Sequence, residues 1–256
     1  MLCTNRDYEG DVRSGSKVWI NSLTDPTISK YTGGPIANGR LQTSATELPV
    51  DQADYFSFTL KDVERVQQAG DIAGTATSQA GQKLTEASDL FVGGQMVANA
   101  GAKNIALELP ATGNTGDALY EAIVDDLVTV LDENKIPEDG RFLIVTPRIK
   151  AMLLKSARFI DASQYGSSEP IRNGVIGRFA GFTVQMTTNL PKTSGTYQVD
   201  LIAGHPMATT YAEQIESVET LRDPDDFGDI VRGLHVYGGK IIRPEVLAIA
   251  KVTVTP

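Results

Sequence analysis

The chain is short of most residues that do chemistry. Its 256 residues include one cysteine, Cys3, and two histidines, His205 and His235. A lone cysteine excludes an internal disulfide framework and every multi-thiolate zinc site. Neither histidine has a second at i+3 or i+4, the spacing a helical metal site needs, so no metal or other cofactor is expected. No apolar run approaches the roughly 18–20 residues of a membrane span, and the N-terminus carries no signal-peptide pattern. Cations are also outnumbered: 23 Lys and Arg against 32 Asp and Glu leave a net charge of −9. A molecule so charged is not drawn as a whole to nucleic acid or anionic lipid. Neither G-x-G-x-x-G nor G-x-x-x-x-G-K-[ST] is present, so phosphate cradling has no support, and no G-x-S-x-G elbow marks a nucleophilic serine. What remains is a soluble protein, poor in catalytic groups, with a length suited to one large domain or two small ones.

The chain is richer in structural signals. Residues 17–20 and 55–60 alternate like strands, with Val18 and Ile20 on one face and Phe56, Phe58 and Leu60 on another. The segment between them is dense in Thr, Ser, Gly and Pro, with Thr32-Gly33-Gly34-Pro35 near its middle. The pattern predicts a long two-stranded arm without a core of its own, which must lie on something else. Residues 71–100 read as one long helix, with Asp71 as a possible cap and Gly74, Gly81, Gly93 and Gly94 inside it. Each interior glycine costs about 0.8–1 kcal/mol relative to alanine, so close packing is expected to hold this helix.

From Gly116 the pattern is that of an amphipathic helix on Leu119, Ile123, Leu127 and Leu131. A buried strand over 141–145 follows, then Thr146 as N-cap and Pro147 at the first position of a helix through Lys155. Residues 181–187, 197–203, 208–221, 229–237 and 246–254 read as strands. The fold class is α+β, with a sheet-rich C-terminal end.

Several constellations give way to plainer readings. Asp223-Pro-Asp225-Asp226-Phe-Gly228 opens like a calcium loop, but Phe227 and Leu234 occupy positions that should supply oxygen, so it reads as an acidic turn. Asp125-Asp126 and Asp132-Glu133 are neighbours on a helix and diverge by about 100°, which makes a solvated face rather than an acid–base pair. Cys3 is expected in a mobile terminus, and both histidines read as structural. The anionic surplus lies mainly in 61–140, whereas 141–200 is net basic through residues such as Arg148, Lys150, Lys155 and Arg178. That basic third has no run of adjacent cations and reads as a solvated or subunit-facing surface rather than a nucleic-acid groove.

Taken in order, the segments resemble the major capsid proteins of tailed bacteriophages of the Hong Kong 97 type. The resemblance rests on Asn5-Arg-Asp-Tyr-Glu-Gly10 and Gly15-Ser-Lys-Val-Trp-Ile20, then Tyr55-Phe-Ser-Phe58 with the segment 62–68. It continues through Arg158-Phe-Ile-Asp161, Asn173-Gly-Val-Ile-Gly177 and Gly181-Phe-Thr-Val184. Gly204-His-Pro-Met-Ala208, Gln214-Ile-Glu-Ser-Val218 and Val236-Tyr-Gly-Gly-Lys-Ile-Ile-Arg-Pro-Glu245 complete it, so that residues 5–252 are covered.

The resemblance implies an N-terminal arm (1–12), an extended β-hairpin loop (13–60), a peripheral domain with a spine helix (61–110), an axial domain (111–207) and a closing peripheral sheet (208–256). It implies a non-enzymatic subunit that self-assembles into pentamers and hexamers of an icosahedral head around double-stranded DNA. Subunit contacts are expected at Lys30 and Tyr31 in the loop, at Arg222, Asp223, Asp225 and Asp226 in the acidic turn, and at Lys192 in an axial loop. Partners would be further copies of itself, a scaffold, a portal and decoration proteins. DNA would be held non-specifically at most, and an anionic 61–140 lining the interior would repel it. No membrane is involved, and the expected location is the virion, after assembly in the host cytoplasm. The family usually has a longer N-terminal arm, whereas here the Asn-Arg-Asp-Tyr motif begins at residue 5, which implies a truncated or mature form, or assembly with a separate scaffold. Some relatives crosslink a loop lysine to an asparagine; Lys30 sits in the matching loop, with no asparagine or glutamate identified to complete that chemistry. Two other readings stay open: the shell of an encapsulin-type cellular nanocompartment, and an acidic soluble enzyme with an unrecognised site.

Overall fold

The computed structural model describes residues 3–7, 17–23, 28, 30, 43–62, 72–110, 115–156, 178–224 and 226–255. Sequence expectations at Asp71, Tyr31, Asp225, most of the 24–42 loop and the 157–177 motifs lie outside these residues.

The core is a six-stranded sheet in the order β4-β13-β10-β5-β7-β6. Its strands are β4 (Ala102–Pro110), β5 (Phe142–Val145), β6 (Arg178–Phe179), β7 (Phe182–Met186), β10 (Leu201–Gly204) and β13 (Leu247–Thr255). The central strands β5 and β10 are buried at every position. Their unbroken apolar runs therefore suit a sheet covered on both faces. β13 runs parallel to β4 and antiparallel to β10. The last strand thus joins this central sheet and not the 209–241 strands beside which the sequence placed it, because its Leu247–Ala250 stretch is apolar on both faces and is wholly buried.

Helices cover this sheet. Leu119, Ile123, Leu127 and Leu131 are all fully buried, although they recur every four residues. In a straight α-helix that spacing drifts by about 40° per step, so the four would not stay on one stripe. The chain resolves this by widening: α2 (Thr115–Ala122) runs through a π-helical turn (Ile123–Val128) into α3 (Thr129–Glu133). The π turn winds more slowly and brings the stripe back to the core. Beyond α3, the buried Arg141 holds the connection by donating to Pro137 O (2.9 Å) and Asp132 Oδ1 (2.7 Å). α4 (Pro147–Leu153) starts with proline as predicted, but the Thr146 hydroxyl makes no capping bond and is buried without a partner.

The second layer is a three-stranded antiparallel sheet, β11-β12-β3, formed by β3 (Gln52–Lys61), β11 (Thr209–Arg222) and β12 (Gly228–Ile241). The strand predicted over 55–60 therefore does not pair with 17–20. Its partner is β12, with Phe56 opposite Gly233 and Phe58 opposite Val231. The arm is instead the hairpin of β1 (Lys17–Leu23) and β2 (Thr43–Pro49), in register from Lys17↔Pro49 to Leu23↔Thr43. β2 escaped the sequence reading because Thr43-Ser-Ala-Thr-Glu47 lacks an apolar alternation.

The long helix α1 (Ile72–Asn99) forms as one element of 28 residues and packs its C-terminal half on this sheet. Phe91 meets Tyr237 edge to face at 5.6 Å. Close packing does not account for its glycines uniformly. A Cβ at Gly93 would touch the 189–191 loop, but at Gly81 and Gly94 it would meet nothing within 4 Å.

Residues 3–7 are held against the body, whereas Cys3 was expected in a mobile terminus. Asn5 bridges to β11, its N–H donating to Thr209 O (2.8 Å) and its carbonyl accepting from Tyr211 N–H (3.0 Å). Arg6 pairs with Glu213 at 2.8 Å. Cys3 is only 6% exposed, donates to Gln185 Oε1, and has its thiol pushed up to about 12 by burial. A thiol in that state is a packing group, not a nucleophile.

Candidate interaction surface

The expected contact residues fall at three separate places. The first is the tip of the β11–β12 hairpin, where the acidic turn is tied to the end of β3. Arg222 bridges Asp62 (Nη2–Oδ2, 2.5 Å) and Asp229 (Nη1–Oδ1, 3.2 Å), while Lys61 holds Asp226 at 2.8 Å. Asp223 N–H donates to Gly228 O, closing the turn at 3.0 Å. Lys61 and then the Phe227 N–H hold the Asp226 carboxyl below the usual carboxylate range. Its two carboxylates likewise raise the pKa of Arg222. Arg222 and Asp226 are thus engaged within the chain, and each such exposed pair contributes little alone. Their combined effect is to fix the tip's shape and to present Phe227, which is 79% exposed, at its apex.

Lys192 is the second place. It lies in a short ribbon of β8 (Lys192–Thr193) and β9 (Thr196–Tyr197), and its ammonium sits 4.5 Å from the Tyr197 ring centre. Ser194 and Gly195 both have positive φ (51° and 80°), as a tight two-residue hairpin turn demands. Third, Lys30 is exposed in the arm loop. The structure does not bring these three places together into one site.

The more informative residues are apolar ones that the sequence reading passed over. Tyr55 on β3 is 76% exposed and Trp19 on β1 is 61% exposed. Tyr55, Ser57, Ser217, Glu219, Arg232 and Leu234 line an open groove of about 500 Å³ on one face of the three-stranded sheet. Strand alternation was the available signal, since it sets Trp19 against Val18 and Ile20, and Tyr55 against Phe56. On the three-stranded sheet Tyr55 stands opposite Leu234 in the β3–β12 pair, and both are left exposed.

The histidines differ: His205 is hydrogen-bonded through both ring nitrogens, whereas the buried Nδ1 of His235 has no hydrogen-bond partner. His205 Nδ1 accepts from Met207 N–H (3.2 Å) while Nε2 contacts Asp139 O (3.0 Å), so both ring nitrogens hold local structure. His235 is buried, stacked on Tyr237 at 4.8 Å. Among the described residues, no group of three His, Cys, Asp or Glu side chains could hold a metal, and no helix is long and apolar enough to cross a membrane.

The fold thus combines a buried sheet core, a hairpin arm rooted on a second sheet and a long helix exposed along much of its N-terminal half. Comparison with known proteins says what such a fold belongs to. The family model described as phage capsid protein matches residues 43–252, and the chain belongs to that family. A solved structure from Mycobacterium phage Che8 is 30% identical with a TM-score of 0.79, covering 97% of this chain and 89% of that one. The capsid of the cyanophage P-SCSP1u superposes at TM-score 0.78 over 99% of this chain and 87% of that one, at 16% identity. A virus-like particle from Pyrococcus furiosus shares the fold at TM-score 0.57 and 16% identity, over 93% and 86% of the two chains. No curated protein sequence matches significantly. The fold is that of Hong Kong 97-like capsid proteins, and the protein is a structural subunit of a phage head shell.

Proposed function

We propose that this subunit closes an icosahedral head as pentamers and hexamers around double-stranded DNA, and that it does so by shape alone, without a catalytic step. The observation that carries this reading is the exposure of Tyr55, Trp19 and Phe227 on well-formed strands and at a pinned turn. In a monomer these groups would remain in water; in a shell, identical neighbours bury them. The six-stranded sheet acts as the axial domain, with the Lys192 ribbon toward the ring centre. The three-stranded sheet and α1 form the peripheral domain, with the Arg222–Asp226 tip meeting other subunits. The arm, carrying Lys30 and Tyr31, lies across a neighbour. Scaffold, portal and decoration proteins are the further partners, met in the host cytoplasm before the shell becomes part of the virion.

Electron microscopy of the purified protein tests this directly. Shells, or rings of five and six, are the expected particles, and only monomers at high concentration would sink the proposal. The similarity to the Pyrococcus particle keeps the nanocompartment as a second reading. Particles that co-purify with one enzyme and no nucleic acid would favour it.

A further inference from the structure

The arm leaves the body at a place built to hold it. Pairing of β3 with β12 ends at Gln52 opposite Tyr237. At the next β12 residue, Gly238, the chain segment Pro49–Val50 crosses directly over the strand. A Cβ at 238 would stand 2.6 Å from Val50 Cα and closer still to the Pro49 carbonyl oxygen. Those neighbours are backbone, one of them on a proline, and cannot swing aside as a flexible side chain would. Two residues on, Lys240 Nζ donates to Glu47 O in β2 at 3.0 Å. Between these points Ile20, Leu48 and Val50 bury themselves against Ala212, with Val236 and Ile242 packed alongside, in an apolar cluster separate from the main core.

We infer that this is a rigid mount: Gly238 is the seat, the Leu48–Val50 cluster the adhesive and Lys240 the latch. Together they fix the direction of the β1–β2 arm before any neighbour is present. A two-stranded hairpin is at best marginally stable in water, so an arm with this much order needs such an anchor. Crowding does not supply it. A cleft of about 580 Å³ lies beside the mount, lined by Asp51, Gln52, Phe91, Gln95 and Asn99 among others, and leaves room for the arm to turn. On the head-shell reading, on which this part rests, the mount sets which neighbour the arm can reach and hence whether rings close into a shell of one size.

The test is hydrogen exchange of the β2 amides (43–48) in the purified full-length protein, with electron microscopy of the particles it forms. Gly238→Ala should speed β2 exchange by at least about tenfold while the amides of the six-stranded sheet stay protected. Its particles should be absent or of mixed diameter. Gly239→Ala is the control, since a Cβ there meets nothing nearer than 3.4 Å, and it should leave β2 unchanged. If Gly238→Ala fails to fold, Lys240→Met carries the test, with faster β2 exchange expected and no added bulk. Unchanged β2 exchange in both Gly238→Ala and Lys240→Met, or an equal effect of Gly239→Ala, would overturn the mount. Faster exchange with shells of normal size would overturn its role in assembly. Wild-type protein that never forms shells would count against the head-shell reading, while exchange still decides the mount.

Discussion

The six-stranded sheet and the three-stranded sheet are made from the same kinds of residue but finished to different degrees. In the first, β5 and β10 are buried at every position, and α2, α3 and α4 close over them. In the second, β3 alternates between half-buried and exposed along its whole length, and no residue of it is buried. Coverage on both sides is confined to the C-terminal half of β12 and the start of β11 (Thr209–Ala212), which lie between the arm root and α1. One region is a completed core; the other is half of a core, which on the proposed reading neighbouring chains complete. A subunit that is to fold first and assemble second needs both kinds.

That contrast can be broken most severely at its strong end. Leu127→Ala, at a fully buried position under the π turn, should cost about 3–5 kcal/mol and lower the urea midpoint of the whole subunit. Phe58→Ala, on the half-covered sheet, should cost clearly less in the isolated subunit; equal losses in the two denaturation curves would erase the distinction drawn here. A smaller effect of opposite sign is expected at Gly81, where a Cβ meets nothing within 4 Å. Gly81→Ala should stabilise the unassembled protein by up to about 1 kcal/mol, seen as a raised melting temperature. A destabilised variant would mean that the helix is not open there.

The smallest effect concerns the hairpin tip. Because Lys61 and the Phe227 N–H lower the pKa of Asp226, its contribution is fully present above the ordinary aspartate value of about 3.9 and is lost as pH falls through the lower folded value. Stability near neutrality should therefore be indifferent to this group. An NMR titration of Asp226 should find its midpoint below the reference value of 3.8. A midpoint at or above that value would mean that the tip is not pinned in solution.

The two regions also differed in how readable they were. The long helix, the Leu119–Leu131 stripe, the 141–145 strand with Pro147 after it, and the β11 and β12 strands were visible because each writes its periodicity into a single segment. Pairing was less visible. Phe56, Phe58 and Leu60 marked β3 as a strand but could not say that its partner lay about 175 residues away in β12 (most contacting pairs are nearer in sequence) rather than in the adjacent arm. Cys3 looked like part of a loose terminus because nothing local announces the backbone bonds from Asn5 to β11. Contact residues chosen for charge, such as Arg222 and Asp226, are tied within the chain, while Tyr55 and Phe227, noted only as parts of motifs, are the exposed groups. Charge draws the eye in a sequence, but exposure is decided only when the other elements are in place.

By itself, then, the sequence determined the elements, the poverty of chemical groups and, through the order of its motifs, the family. Those properties are local or compositional. The tertiary structure alone decided which strand pairs with which, that a helix with repeating four-residue spacing must pass through a π turn, that Gly238 lies beneath the arm root, and which apolar groups are left uncovered. Each of these depends on distant backbone arriving at one place, where steric exclusion and burial act between residues that no local pattern connects.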